Sequence, residues 1–493
     1  MENLGITLQD YANFGSGFGS ASQAEVQELM KAMTAGSITG RDTANLTSAS
    51  GAPLKTESLE ATLKILTNTE RDIVFWKMMP KLPAYNTVEE YNQLASYGND
   101  GAAFTNEGEL PEAVDSIYVR RAQLVKFIGV TGEVTHPMQL VSTTVGDMIK
   151  RETINKTQWV LRQVERALPF ANSDIVTQEF NGLFKQHFDG YAGTLDQYQD
   201  SEVIVDCRGK SLRDSYIEAA SLGINVNFGY ADKIIAAPQV FSNYVKGFYS
   251  SKLIQPNTAQ VTSGIMGQKV VKITTQFGDI DVVDDKFWTK NARLAGSAAT
   301  STKAPNAIVP DGAAPLTANV DTLNRFAGFT GNHYYAVAAK NRYGESTLTA
   351  LSAAVLNVVA GSSADLLFTD GGGAYPATGY VIYRSEKAPA GAIGVTPLYP
   401  IFEVSLAQLA AGYDGAAALT VRDRNRYIAN TNQALMIEQS EQVYSFKQLA
   451  PLMKMDLAVL SPSTRFMVLL YGTPILYAPK KFAKLINIGN DLT

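Results

Sequence analysis

Residues 82–135 read LPAYNTVEEYNQLASYGNDGAAFTNEGELPEAVDSIYVRRAQLVKFIGVTGEVT, and the fold turns on them. The outgoing arm carries Tyr85, Val88 and Tyr91; the returning arm carries Ile117, Tyr118, Val119, Val125, Phe127, Ile128 and Val130. β-Branched and aromatic residues of this kind favour strands. Between the arms, residues 95–116 form an acidic, glycine-containing stretch of turn residues. The pattern predicts a long two-stranded β-ribbon. Such a ribbon is marginal alone in water, and its open edges invite pairing. It must therefore lie on something else, and a neighbouring subunit is the obvious support. The expectation is an assembly protein whose ribbon orders only by lying across a sister copy.

The rest of the chain sets the frame. At 493 residues and 53.3 kDa it is long enough for a substantial core and two or three domains. Hydrophobic residues make up 45% and charged ones 18%, a globular rather than disordered balance. The net charge of −5 argues against a chain-wide attraction to nucleic acid or anionic membrane. The single cysteine, Cys207, excludes an internal disulfide framework, suits a reducing compartment and is expected to be a buried thiol rather than a nucleophile. The opening MENLGITLQDY lacks a basic stretch followed by an apolar one, so no secretory signal is expected. The apolar run FMVLLYGTPILYAP is interrupted by Gly472, Thr473 and Pro474 and is too short to span a bilayer. A protein made and kept inside a cell is expected.

Working outward from the ribbon, residues 1–53 are rich in Gly, Ser, Ala and Thr, with a short helix predicted near Gln23–Met33 and a flexible arm after it. A second helix is predicted over Lys55–Met79, packing through Leu59, Leu63, Leu66, Ile73 and Trp76 and stopped by Pro80 and Pro83. His136-Pro137 ends the ribbon. A long helix follows over Ser142–Ala167, capped by Ser142 and closed by Pro169. Its apolar stripe is Val145, Ile149, Val160, Val164 and Leu168, and Lys150, Arg151, Glu152, Arg162 and Glu165 supply polar faces. Further on come a helix in SLRDSYIEAASLG closed by Gly223, a strand in DKIIAAP, a helix in QVFSNYVKGFYSS and a hairpin in KVVKITTQFGDIDVVDD turning at Phe277-Gly278.

This mixed α+β body resumes near Ala434. The interruption is a separate unit: Gly296–Gly415 holds only 14 charged residues in 120. HYYAVAAKN, LTALSAAVLNVV, DLLFT, GYVIYRSE, PLYPIFEV and ALTVRD are short strand-like runs between Gly and Pro turns, which predict a small β-sandwich. Residues 301–318 read as a linker into it. DGGGAYP, at 370–376, reads as a hairpin loop rather than a phosphate cradle, because no helix or Lys-Ser/Thr pair follows. Tyr380, Tyr383, Tyr399 and Phe402 are assigned to the sandwich core.

The chemistry-bearing residues concentrate on the ribbon tip. Asp100, Glu107, Glu109, Glu112 and Asp115 lie there, with no basic residue from Ala95 to Val119. They are expected to dock on a neighbour's basic surface formed by Lys480, Lys481 and Lys484, while Arg120 and Arg121 pair with acidic partners. Exposed ion pairs contribute only about 0–1 kcal/mol each, so register and specificity are the expected gain. Glu107 and Glu109, at alternate ribbon positions, share a face, but no pocket-forming residues surround them, so they are not assigned a catalytic role. Asp279, Asp281, Asp284 and Asp285 lack the spacing of a calcium loop and read as strand ends. His136, His187 and His333 have no metal-pair spacing. No catalytic, cofactor-binding or metal-ligating residue is expected.

The organisation resembles the major capsid proteins of tailed double-stranded-DNA bacteriophages, whose fold is called HK-97-like, in the branch of large contractile-tailed phages with an inserted Ig-like domain. The resemblance rests on the order and spacing of YGNDGAAFTNEGELP, FNGLF, QFGDIDVVDD, YVIYRSEK, LAPLMKMDLA and LLYGTPILYAPKKFAKLINI. It implies an α+β HK-97-like capsid fold carrying an inserted all-β Ig-like sandwich. Residues 1–81 would be the N-terminal arm and 82–135 the extended loop over an adjacent subunit. Residues 136–210 would hold the spine helix and peripheral domain, 211–296 the axial and peripheral α+β body, 297–430 the insert, and 431–493 the return. One departure concerns the insert: YYAVAAKNRYGES looks like a late fibronectin-type strand yet precedes GYVIYRSE, which looks like an early one, so the sandwich is permuted or only loosely Ig-like.

The resemblance also implies a function: pentamers and hexamers closing into an icosahedral head, assembled in the host cytoplasm, around double-stranded DNA that is contacted weakly. Scaffold, portal and decoration proteins would be further partners; no membrane and no cofactor would be involved. The rival readings are a cell-surface adhesin or surface-layer protein, suggested by the sandwich, and a hydrolase or glycosyltransferase using acidic pairs. The missing signal peptide counts against the first and the missing nucleophile-base constellation against the second.

Overall fold

The computed structural model describes residues 67–98, 104–110, 113–140, 147–189, 203–251, 270–312, 314–458 and 461–490. The predicted helix near Gln23–Met33 and the arm after it lie outside these residues, as do Leu59, Leu63 and Leu66.

In the body, strands β1 (Lys81–Pro83), β2 (Val88–Ser96), β3 (Ile117–Leu124) and β4 (Lys126–Thr135) come first; β5 (Ile204–Asp206), β6 (Lys233–Ala236), β7 (Lys272–Thr275) and β8 (Gly278–Asp284) follow. The helices are α1 (Phe75–Met78), α2 (His136–Leu140), α3 (Met148–Phe170), α4 (Leu183–Asp189), α5 (Asp214–Val226) and α6 (Pro238–Ser251). The insert contributes β9 (Val309–Pro310), β10 (Leu316–Val320), β11 (Gly331–His333), β12 (Tyr335–Asn341), β13 (Gly344–Glu345), β14 (Thr349–Ala350) and β15 (Leu356–Val358). It ends with β16 (Ser362–Thr369), β17 (Gly379–Ser385), β18 (Leu398–Ser405), the short helix α7 (Leu406–Ala411) and β19 (Thr420–Asp423). The body then returns as β20 (Asn432–Ile437), β21 (Tyr444–Asp456), β22 (Ser463–Leu476) and β23 (Phe482–Ile488).

Two body sheets share one core. The first runs β1-β21-β22-β4 and the second β5-β23-β20-β6-β8-β7. Helix α3 lies against β4 and β22. Its buried stripe of Val160, Val164 and Leu168, at i, i+4 and i+8, joins Phe446, Phe466, Ile234 and Phe482 in that core. Asp147 starts the helix by accepting from the N–H groups of Ile149, at 2.9 Å, and Lys150, at 3.4 Å. The expected cap, Ser142, lies outside the described residues. Pro169 sits inside the last turn rather than beyond it; there it removes a single intrahelical bond, and Phe170 ends the helix one residue later.

Other expectations shift for similar local reasons. Over the described part of Lys55–Met79 there is only a 3₁₀ turn, Glu70–Asp72, and the single turn α1; Ile73 and Trp76 are nonetheless core residues. Gly223 does not close α5 but sits within it, because the stripe Ile217, Ala220 and Ile224 buries on both sides of it and offsets the roughly 1 kcal/mol a mid-helix glycine costs. The β7–β8 hairpin pairs Thr275 with Gly278, so its turn is Gln276-Phe277.

The insert has its own core, drawn from two sheets. One runs β10-β16-β19 with β9 also on β16; the other runs β13-β12-β17-β18 with β14 also on β12. Phe368 and Leu366 of one face Tyr335, Val337 and Tyr380 of the other. Tyr380 and Tyr383 are buried, while Tyr399 and Phe402 are partly buried against the core. The 301–318 segment is therefore not a free linker: Val309–Pro310 and Leu316–Val320 pair with β16. LTALSAAVLNVV divides into two short strands, β14 and β15. DGGGAYP joins β16 to β17, which lie in different sheets, so it is a crossover rather than a hairpin loop.

Candidate assembly surface

The ribbon is built from β2 and β3, paired antiparallel from Val88↔Leu124 to Ser96↔Ile117. It is shorter than the sequence suggests. The second half of the returning arm, β4, leaves the ribbon at Val125 and pairs with β22 from Lys126↔Gly472 to Thr135↔Ser463. At the root, Tyr91 packs edge-on against Tyr477 with ring centroids 5.1 Å apart, and Gln93 donates to the carbonyl of Tyr477. Under this root is a cleft of about 300 Å³ whose lining includes Tyr91, Arg121, Gln186 and Pro479. Beyond it the ribbon is bare: Tyr97 is 84% exposed, Phe104 100%, Leu110 93% and Tyr118 70%. Large apolar side chains at such exposure forgo about 1.5–3 kcal/mol of burial each.

The tip residues fall as follows. Glu107, Glu109 and Asp115 are exposed; Asp100 and Glu112 lie outside the described residues. Glu107 and Glu109 are not on a strand: the Asn106–Glu109 stretch is a turn, in which Glu109 N–H donates to the Asn106 carbonyl at 3.1 Å and the Glu109 carboxylate accepts from Asn106 Nδ2 at 2.9 Å. Gly108 holds φ +89, a conformation that favours glycine. The shared ribbon face expected of these two carboxylates is thus replaced by a turn. Arg120 pairs within the ribbon, with Glu90 at 3.4 Å, and Arg121 Nε donates to Gln93 Oε1 at 2.8 Å.

The three lysines do not form one patch. Lys480 is exposed. Lys481 is half-buried, its Nζ 3.7 Å from Glu438. Lys484 is 5% exposed on β23, its Nζ 4.5 Å from the Phe184 ring centroid and 5.7 Å from that of Tyr427. It is a core lysine, because all seven residues of β23 are buried between β20 and β5. Burial pulls its amine down to about 7. His187 is fully buried beside Phe482, and burial pushes its pKa down to about 3. Cys207 is buried, with burial raising its thiol far above the ordinary range. Among the described residues no three His, Cys, Asp or Glu side chains are grouped to hold a metal ion.

The chain is 25% identical over 446 residues to the major capsid protein of Staphylococcus phage K, covering 88% of this chain and 90% of that protein. The chain is a relative of phage major capsid proteins. The same identity and coverage hold for the major capsid protein of Staphylococcus phage S25-3. No family model matches this capsid-protein relative. Among solved structures it is similar to the capsid of a native GTA particle, with 8% identity and TM-score 0.44 over 90% of this chain and 99% of that one. It is also similar to the SrpI encapsulin of Synechococcus elongatus, with 9% identity and TM-score 0.43 over 91% and 97%. The element order of ribbon, long helix and mixed sheets is the one expected of an HK-97-like chain.

Proposed function

We propose that this chain is a major capsid protein, many copies of which form the pentamers and hexamers of an icosahedral phage head around double-stranded DNA. The near full-length likeness to phage major capsid proteins carries the reading. The bare ribbon supports it physically, since Phe104, Leu110 and Tyr118 can be buried only against another surface. Obligate interfaces of that kind bury roughly 2,000–5,000 Å² or more. The insert would stand outside as an Ig-like tower. Scaffold, portal and decoration proteins are the expected accessory partners, and assembly would take place in the host cytoplasm.

At the tip, the carboxylates of Glu107, Glu109 and Asp115 would set register against a neighbour. With Lys481 engaged by Glu438 and Lys484 in the core, Lys480 is the lysine of the three left to receive them. Negative-stain microscopy of the purified chain tests the whole reading: closed shells are expected, and Phe104→Asp with Leu110→Asp should leave capsomers or monomers. A chain that stays monomeric at every concentration, with the ribbon protected, overturns it. Charge reversal at Glu107 and Glu109 that leaves shell yield and size unchanged refutes the docking of the tip alone.

A further inference from the structure

Helix α3 is strongly basic along one face. Over its 23 residues it carries Lys150, Arg151, Lys156, Arg162 and Arg166 against two acids, Glu152 and Glu165. At about 100° per residue, Arg151, Asn155, Arg162 and Arg166 fall within about 60° of one another, roughly opposite Val160 and Val164. Both acids are engaged elsewhere: Glu152 pairs with Lys156 at 3.0 Å, and Glu165 is buried on the backbone N–H groups of Val74, Phe75 and Trp76. Among the described residues, Arg151, Arg162 and Arg166 have no carboxylate partner. The Nε atoms of Arg151 and Arg162 are buried without a hydrogen-bond partner, so these side chains are laid along the surface rather than waving in solvent. Arg166 is laid over the Phe287 ring at 5.6 Å. Burial, and then the like charge of Arg162, hold the Arg166 guanidinium below its ordinary range. Like charges set side by side with no counter-charge disfavour one another, and an anion from outside would relieve that.

We propose that the Arg151–Arg162–Arg166 face of α3 binds the phosphate backbone of double-stranded nucleic acid; this rests on the capsid reading above. Guanidinium groups meet phosphate oxygens through paired N–H donors. The first and last of the three arginines lie fifteen residue steps apart, about 22 Å of straight line at 1.5 Å per residue. A duplex offers evenly repeated charge over such a length, whereas a compact acidic turn does not. No base-reading side chain is required, so binding would be independent of sequence.

The test compares wild-type chain with Arg151→Gln/Arg162→Gln/Arg166→Gln, using a fluorescent random-sequence duplex and anisotropy across a salt series. Shell formation is scored in parallel by electron microscopy. Three phosphate contacts give a log–log salt slope of about −2.7, so wild-type affinity should fall about 40-fold between 50 and 200 mM salt. The triple glutamine variant should lose that dependence while still forming shells. The triple lysine variant keeps the charge and should retain the slope, which guards against a glutamine variant that simply fails to fold. Unchanged salt dependence in glutamine-variant shells overturns the proposal and leaves the capsid reading intact. Loss of shells in the glutamine variant, with no duplex binding by wild type, overturns it in favour of an acidic protein segment on this face. Absence of shells from wild type removes the capsid reading itself.

Discussion

The Glu165 carboxylate accepts the backbone N–H of Phe75 at 2.6 Å across ninety residues of sequence. The same carboxylate takes Val74 N–H at 2.8 Å and Trp76 N–H at 2.8 Å, so one side chain of α3 closes the start of α1. Glu165 and Asp285 are both 0% exposed, with Asp285 accepting from Phe287 N–H at 2.8 Å. The edge of Phe75 against Trp288, at 5.9 Å, completes the join.

Glu165→Ala should be among the more costly single changes in the body. It leaves the buried N–H groups of Phe75 and Trp76, at about 1–3 kcal/mol each, and the part-buried one of Val74 without an acceptor. A loss of several kcal/mol is expected in denaturant unfolding of the purified chain, with Glu165→Gln milder because one amide oxygen still accepts. A loss under about 1 kcal/mol on alanine substitution would show that the segment is held by Phe75 and Trp76 packing alone.

The carboxyl pair makes stability depend on pH in a definite direction. Burial, then the charge of Glu165, raises Asp285 well above its ordinary value of 3.8, and burial raises Glu165 as well. The folded state therefore binds more protons than the unfolded one as pH climbs above 3.8, and stability falls there by up to about 1.4 kcal/mol per pH unit for each proton. Asp285→Asn keeps an acceptor for Phe287 and removes one titration. Its unfolding free energy should fall less steeply from pH 4 to 7 than that of wild type. Equal slopes would sink the assignment.

Lys484 acts in the opposite sense. Its amine is about 7 in the folded chain against 10.5 ordinarily, so the unfolded state binds more protons between those values. Stability is lost as pH falls from 10.5 towards 7, again by at most about 1.4 kcal/mol per unit. Lys484→Met should flatten the curve in that window, measured by unfolding at a series of alkaline pH values. A variant with wild-type pH dependence would mean that the Phe184 and Tyr427 faces keep the ammonium charged throughout.

In the insert, Arg384 and Asp423 are 1% and 2% exposed and 2.5 Å apart, with Tyr335 Oη donating to the same carboxylate at 2.9 Å. Asp423→Ala strands a buried guanidinium and should cost about 3–5 kcal/mol. Replacing both partners, Arg384→Met with Asp423→Leu, should cost far less. Full-chain thermal unfolding distinguishes the two, and equal losses would place the cost in packing rather than charge.

The sequence made local facts legible and long-range ones not. Tyr85, Val88 and Ile117–Val119 mark the ribbon, and Val160, Val164 and Leu168 mark the long helix, because both patterns are periodic within a few residues. That β4 quits the ribbon at Val125 is set by its partner β22, more than three hundred residues away, and no local pattern encodes that pairing. Lys480, Lys481 and Lys484 read as one basic patch by proximity; only the burial of every β23 residue separates Lys484 from the other two. Likewise Glu165 and Arg162 both look like polar-face residues of one helix. The tertiary join to α1 takes Glu165 into the core and leaves the arginines on the outside.

The ribbon springs from opposite margins of one sheet: β1 lies beside β21 at one edge, and β4 lies beside β22 at the other. A tug on the tip is thus divided between two anchorages, with the Tyr91–Tyr477 contact as the fulcrum. Pulled along their own length, β1 and β4 load all their ladder bonds at once instead of unzipping them singly. A load on the tip would therefore be shared by two strands on opposite sides of the sheet rather than borne by a single hinge.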